Sequence, residues 1–166
     1  GGLVLVPELP DGGEGQWTAE DETAVKDLFD LVIRAASVLT TPGAPGKHRL
    51  LAAVIRLDGG LGLSGRGDFN PVPAALGGVI KTAAIEWENV ICRYIDLDPD
   101  WSDPAAPAAA VAAELADPGG PLEIGLGADS RQTVVLSEAA CPKGSLDLGP
   151  DDVVVVTGGA RGVTAR

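Results

Sequence analysis

Apolar stretches that suit β-strands alternate along this chain with stretches whose apolar residues recur at helical spacing. The strand-like stretches are residues 3–6, 49–57 and 90–97, and helix-like stretches follow them, between residues 18 and 42, at 73–88 and at 105–115. Strands that alternate with helices predict a parallel sheet covered by helices. We therefore expect an α/β fold, a truncated Rossmann-like parallel sheet flanked by helices.

The end of this first half predicts a hairpin. Residues 122–126 and 133–136 suit two short strands around a turn at residues 128–130. Residues 137–150 are polar, contain proline and glycine, and have no periodicity, so we expect a linker there.

Two local patterns sharpen the helix predictions. Thr18 and Asp21 have the spacing of a capping box, and Glu20, Asp21 and Glu22 suit the positive end of a helix dipole. Gly77 and Gly78 stand inside the second predicted helix, where each glycine costs about 1 kcal/mol relative to alanine. We expect close approach of another backbone to offset that cost.

The last residues combine a predicted strand with a glycine-rich turn. Residues 153–156 are four consecutive valines, which predict a parallel strand buried on both faces and the first strand of a second Rossmann half. The turn that follows contains Thr157, Gly158, Gly159, Arg161 and Gly162. A strand, such a turn and a helix start can bind a phosphate through backbone N–H groups. The first strand, residues 3–6, is followed by no glycine fingerprint, so the first half has this architecture without a phosphate loop.

Composition excludes several classes of partner and location. The net charge is −12, which argues against nucleic acid and against an anionic membrane surface. No apolar run reaches the roughly 18 residues that span a bilayer, and Cys92 and Cys141 show no metal-ligand spacing. We expect a reduced, cytoplasmic protein. The chain contains no methionine, and we interpret it as a segment of a longer polypeptide.

Residues that could suggest catalysis have simpler interpretations. His48 is expected in a solvated loop, Cys92 in the core, and Lys81, Glu86 and Glu88 on an exposed helix face. Trp87 and Trp101 are expected at the edge of the core. Asp96 and Asp98 end a strand at the edge where open α/β sheets bind ligands, but a turn or N-cap role is favoured. Residues 59–70 are glycine-rich and are interpreted as a mobile loop.

Two stretches carry a resemblance to a known family, AALGGVIKTAAIEWE at residues 74–88 and RYIDLD at 93–98. They resemble the ketoreductase region of type I polyketide synthases, more narrowly that of synthases related to the bacterial polyunsaturated fatty acid synthases. The resemblance implies a non-catalytic structural subdomain at residues 1–136, a linker at 137–150, and the start of a catalytic short-chain dehydrogenase subdomain at 151–166.

The same resemblance implies cofactor-binding roles for Thr157, Gly158, Gly159, Arg161 and Gly162, with Arg161 suited to the 2′-phosphate of NADPH. Thr164 stands where short-chain dehydrogenases usually carry another glycine, a substitution common in the polyunsaturated-fatty-acid type. The family's catalytic serine, tyrosine and lysine cannot be assigned, because Tyr94, the one tyrosine, lies upstream of the loop.

The function that the resemblance implies is structural. The full region would reduce a β-ketoacyl group, carried by the phosphopantetheine arm of an acyl carrier protein, with NADPH as hydride donor. This chain would brace the catalytic half, with the other synthase domains as partners, and would not bind NADPH alone. Two alternatives stay open: an interaction or linker module with no cofactor role, and a small reductase represented only in part.

Overall fold

The computed structural model describes residues 1–7, 17–42, 48–67, 70–101, 103, 105–140, 144 and 148–155. Within these, five strands form one sheet in the order β1-β2-β3-β4-β5. The strands are β1 (Gly2–Leu5), β2 (Arg49–Arg56), β3 (Val90–Leu97), β4 (Glu123–Gly127) and β5 (Ser130–Gln132). The helices are α1 (Ala19–Leu39), α2 (Ala75–Glu86), which follows a 3-10 turn at Val72–Ala74, and α3 (Ala105–Ala116).

The sheet is parallel from β1 to β4, as the alternation of strands and helices predicts. β2 and β3 form its centre, paired from Arg49 with Val90 to Arg56 with Leu97. Their apolar side chains are buried on both faces, as expected for central parallel strands. The predicted α/β, Rossmann-like class is confirmed.

The helices cover opposite faces of the sheet. Side chains of α1 and α2, such as Val32 and Ile80, pack with Leu51 on one face. Val111 of α3 packs with Ile95 on the other. Each successive strand adds to the same side of the sheet, so the crossover through α3 has the hand opposite to the two before it.

The start of α1 follows the predicted capping box. The Thr18 hydroxyl accepts from the Asp21 amide at 3.1 Å, and the Asp21 carboxylate accepts from the Thr18 amide at 2.9 Å. Glu20, Asp21 and Glu22 occupy the first turn of the helix. The predicted start of this helix is therefore confirmed.

The hairpin exists, but its second strand was predicted in the wrong place. β5 pairs antiparallel with β4 immediately after a two-residue turn at Ala128 and Asp129. The predicted strand at residues 133–136 is not formed; the Thr133 hydroxyl instead donates to the Glu123 carbonyl at 2.6 Å. Because the turn has only two residues, β5 begins at Ser130, earlier in the chain than predicted. Val134 and Val135 therefore have no strand to pair with, despite their β propensity.

The chain divides into two compact units, Gly1–Val135 and Leu136–Arg166. The described residues of the second unit contain no helix or strand. Residues 153–155 have exposed side chains, so the prediction of a strand buried on both faces is wrong for them, and residue 156 lies outside the described residues. A strand of that kind needs neighbouring strands, and the described part of this unit provides none.

Candidate functional site

The carboxyl edge of the sheet is the first place to look for a ligand site in an open α/β fold. Asp96, near the end of β3, is completely buried there. Its carboxylate accepts from the backbone amides of Leu57 at 2.7 Å and Leu61 at 2.8 Å. Burial raises the pKa of Asp96 to about 6, although the two amide hydrogen bonds act in the opposite direction.

Asp58, which directly follows β2, organises the next turn. Its carboxylate accepts from the amides of Gly60, Gly62 and Ser64 at 2.8 to 3.1 Å, and from the Ser64 hydroxyl at 2.5 Å. Burial alone would raise the pKa of Asp58, but these hydrogen bonds outweigh it and hold the pKa well below its usual range. Residues 59–64 are therefore a hydrogen-bonded turn, and their interpretation as part of a mobile loop is corrected.

The turn closes over the hairpin. The Gly59 carbonyl accepts from the Gln132 side-chain amide at 2.9 Å, and it lies so near β4 that a Cβ on Gly125 would collide with it. Gly59 has φ +66°, and a Cβ there would lie 2.7 Å from the Cβ of Asp98. Both positions need glycine, and a cavity of about 320 Å³ lies between the turn and residues 132–135.

The remaining polar groups of this edge are also engaged. Asp98 accepts from the Asp100 amide at 2.8 Å and lies 3.6 Å from the Arg66 guanidinium. The favoured turn role agrees with the contact of Asp98, but it is wrong for Asp96, which lies within β3 and accepts from a distant segment. In the described part of the chain, no group of three or more His, Cys, Asp or Glu side chains is arranged to hold a metal ion. The carboxylates of Asp58, Asp96 and Asp98 are therefore engaged in hydrogen bonds or an ion pair within the fold.

Residues 58–60 suit a turn by composition, as observed, but the roles of the Asp58 carboxylate and of Ser64 in it were not predicted. The signal was present, since an aspartate directly after a strand and before a glycine-rich segment suits a carboxylate that accepts from successive amides. The conformation of the turn could not be predicted at Leu61, because its φ of +62° is unusual for a leucine.

The other singled-out side chains lie apart from this edge and serve structure. His48 is exposed, and Lys81 forms an ion pair with Glu123 at 3.0 Å. Burial raises the pKa of the Cys92 thiol to about 11, against the opposing effect of Arg93, so it stays protonated at neutral pH. Trp87 and Trp101 pack at the margins of the two cores, as predicted. Thr157, Gly158, Gly159, Arg161 and Gly162 lie outside the described residues.

Arg93 is buried without a carboxylate partner in the described structure. Its guanidinium donates to the Asp117 carbonyl at 2.7 Å, one residue after α3 ends, and to the Cys92 carbonyl at 2.9 Å. A cation at a helix carboxyl end satisfies its free carbonyls and complements the helix dipole. The arginine of the quoted RYIDLD stretch thus fixes α3 to the sheet.

An apolar groove between α1 and α2 is the second candidate site. It has a volume of about 340 Å³. Its lining includes Phe29, Ile33, Gly78, Thr82 and Glu86. Phe29 is 46% exposed and Ile33 is 53% exposed, so large apolar side chains face solvent here. This surface is suited to a macromolecular partner rather than to a small substrate, because it lacks convergent polar groups.

Gly77 and Gly78 have different surroundings. A Cβ on Gly77 would lie 3.0 to 3.3 Å from three atoms of the Tyr94 ring, whereas one on Gly78 would meet nothing within 4 Å. The expected close approach of another backbone is therefore wrong: at Gly77 the nearest atoms belong to a side chain, and Gly78 has no near neighbour. Gly78 is exposed on the groove, where no described residue requires a glycine.

Comparison with known proteins relates the chain to a fatty acid synthase. A polyunsaturated fatty acid synthase subunit of Thraustochytrium sp. is 32% identical over 139 residues, and the matched region covers 78% of this chain and 5% of that protein. No protein-family model and no solved structure matches the chain. In the part of the chain that the structure describes, no helix is both long and apolar enough to cross a membrane.

Proposed function

We propose that this chain is a structural, non-catalytic part of the ketoreductase region of a multidomain polyunsaturated fatty acid or polyketide synthase. The observation that carries the proposal is that the carboxylates at the carboxyl edge of the sheet are already engaged within the fold. The carboxylates of Asp58 and Asp96 accept hydrogen bonds from backbone amides, and Gly59 lies against Gly125. A Rossmann-like half whose edge carboxylates are engaged by its own amides is suited to bracing a neighbour rather than to binding a dinucleotide.

The relationship to a fatty acid synthase supports this proposal from another direction. The matched segment spans 5% of the relative, as expected for one part of a large polypeptide. In the full region, NADPH would deliver a hydride to the keto carbon of a β-ketoacyl thioester and a proton would reach its oxygen, giving a β-hydroxyacyl thioester and NADP⁺. An acyl carrier protein would present the thioester.

Titration of NADPH into this chain, followed by nicotinamide fluorescence and by calorimetry, tests the proposal. We expect no saturable signal, while a catalytic short-chain dehydrogenase in the same buffer binds normally. Saturable micromolar binding would contradict a purely structural role. Gly158→Ala and Arg161→Ala then locate such binding, because both change the predicted phosphate loop and neither changes the described fold.

A second candidate is an interaction module without any part in a reductase. The exposed apolar groove between α1 and α2 favours it. The two candidates differ in what the groove contacts, since a reductase brace needs a partner within the same polypeptide.

A further inference from the structure

The groove between α1 and α2 has the shape and surface of an unfilled helix-packing site. Phe29 and Ile33 of α1 border it on one side. On α2, Ile85 is 83% exposed and follows Thr82 and Gly78 at helical spacing on the outer face. An apolar trough between two helices accepts the ridge of a third helix.

Gly78 marks where such a partner comes nearest. Glycine weakens a helix interior, and nothing described within 4 Å of position 78 requires it. A missing side chain on an exposed apolar face lets another backbone or a large side chain approach the helix closely. The neighbouring Gly77 has a different explanation in the Tyr94 ring, so the two glycines are separate observations.

The charges around the groove indicate that the edges of a bound partner carry positive charge. Glu86 lines the groove and Glu88 follows it, and neither has an ion-pair or hydrogen-bond partner among the described residues. Lys81 and Lys26 are engaged with Glu123 and Glu22. The free charges at this end of the groove are negative, on a chain of net charge −12. A second copy would bring the same carboxylates together, which disfavours self-association.

We propose that the α1–α2 groove is the docking surface for an amphipathic helix that has an aliphatic contact face and lysine or arginine along its margins. The inference rests on the proposed bracing role, and it names the surface and the chemistry of the element that would be braced. Gly78 receives the ridge of the incoming helix, and Glu86 and Glu88 attract its basic margin.

Two synthetic peptides test the charge and the location together. Both are 18-residue helices with the same leucine and alanine face, one with lysine margins and the other with glutamate margins. We expect the lysine peptide to bind saturably, at least tenfold more tightly than the glutamate peptide, and less tightly as salt rises. Amide NMR shifts should concentrate at Ile33, Gly78 and Thr82.

Matched variants distinguish docking in the groove from nonspecific binding of the peptide. Ile33→Asp and Gly78→Leu should each weaken binding of the lysine peptide at least tenfold, because both residues line the groove. Leu63→Asp changes an exposed leucine outside the groove and should alter binding less than twofold. Circular dichroism verifies that each variant folds; Gly78→Leu has free space and improves helix propensity.

Several results would overturn the inference: no saturable binding, equal binding of both peptides, shifts away from α1 and α2, or a dimer of this chain that protects the groove. None of these concerns NADPH. The cofactor titration on the same sample therefore reports on the proposed function independently.

Discussion

Gly77 of α2 lies against the buried ring of Tyr94 in β3, so near that a Cβ at position 77 would come within 3.0 Å of ring atom Cζ. The ring is 4% exposed and has little room to move. This contact sets the distance between α2 and the sheet, and it accounts for one of two glycines in the interior of a helix.

The two adjacent glycines should respond oppositely to alanine. Gly78→Ala gains helix propensity in open space and should raise the free energy of unfolding by about 0.5 to 1 kcal/mol. Gly77→Ala gains the same propensity but must displace the Tyr94 ring, so we expect it to be at least about 1 kcal/mol less stable than Gly78→Ala. Urea denaturation of both variants measures the difference. Equal stabilities would show that the ring contact can relax.

Gly125→Ala should be strongly destabilising. Its Cβ would collide with the Gly59 carbonyl oxygen, which is backbone in a hydrogen-bonded turn and cannot rotate away. We expect a loss of about 2 to 4 kcal/mol in the free energy of unfolding. Gly67→Ala is the matched control, because nothing lies within 4 Å of its Cβ position, and it should change stability by less than about 0.5 kcal/mol. A mild effect at Gly125 would mean that the turn can shift off the hairpin.

Asp96 should give the stability a distinctive pH dependence. Burial raises its folded-state pKa to about 6, whereas an unfolded aspartate titrates near 3.9. The folded chain therefore holds this proton more tightly. The contribution of Asp96 to stability is complete below about pH 4 and is lost as the pH rises through about 6, on the order of 3 kcal/mol.

Asp58 acts in the opposite sense because its folded pKa is depressed: its contribution is present above about pH 4 and is lost on acidification. We expect Asp96→Asn to flatten the fall in the free energy of unfolding between about pH 4.5 and 7, measured by urea denaturation. Asp129→Asn, on the exposed hairpin turn, should leave the slope unchanged. Carboxyl carbon NMR provides the direct check; a midpoint for Asp96 below about 5 would contradict the assignment.

The cap of α1 gives a fourth prediction. Thr18→Ala removes the hydroxyl that accepts from the Asp21 amide and donates to its carboxylate, and should cost about 1 kcal/mol. Thr18→Ser keeps both bonds and should recover most of that loss. Thermal unfolding followed by circular dichroism compares the three chains. If serine fails to recover the stability, the threonine methyl group rather than the hydroxyl is responsible.

Much of the fold could be predicted from local patterns, for reasons visible in particular residues. β3 spans Val90–Leu97, as its mostly apolar stretch predicts, and Thr18 with Asp21 marks the start of α1 because capping is a local interaction. The second hairpin strand could not be placed from propensity, because Val134 and Val135 favour a strand wherever a partner exists. The two-residue turn after Gly127 decides where pairing begins.

The candidate site was harder to predict because its contacts join distant parts of the chain. Asp96 accepts from Leu57 and Leu61, which lie 39 and 35 residues earlier, and Gln132 reaches Gly59 across 73 residues. The spacing of residues in the sequence does not indicate contacts between such distant segments. The groove between α1 and α2 likewise depends on which helix faces remain uncovered after the sheet has formed.

The turn held by Asp58 has an evolutionary consequence. Reopening the carboxyl edge to a small molecule would require new partners for several amides at once, since removing one carboxylate strands the buried donors that it served. Intermediates with only one such change would be poorly folded and selected against. A return to ligand binding at this edge would therefore need several coordinated substitutions.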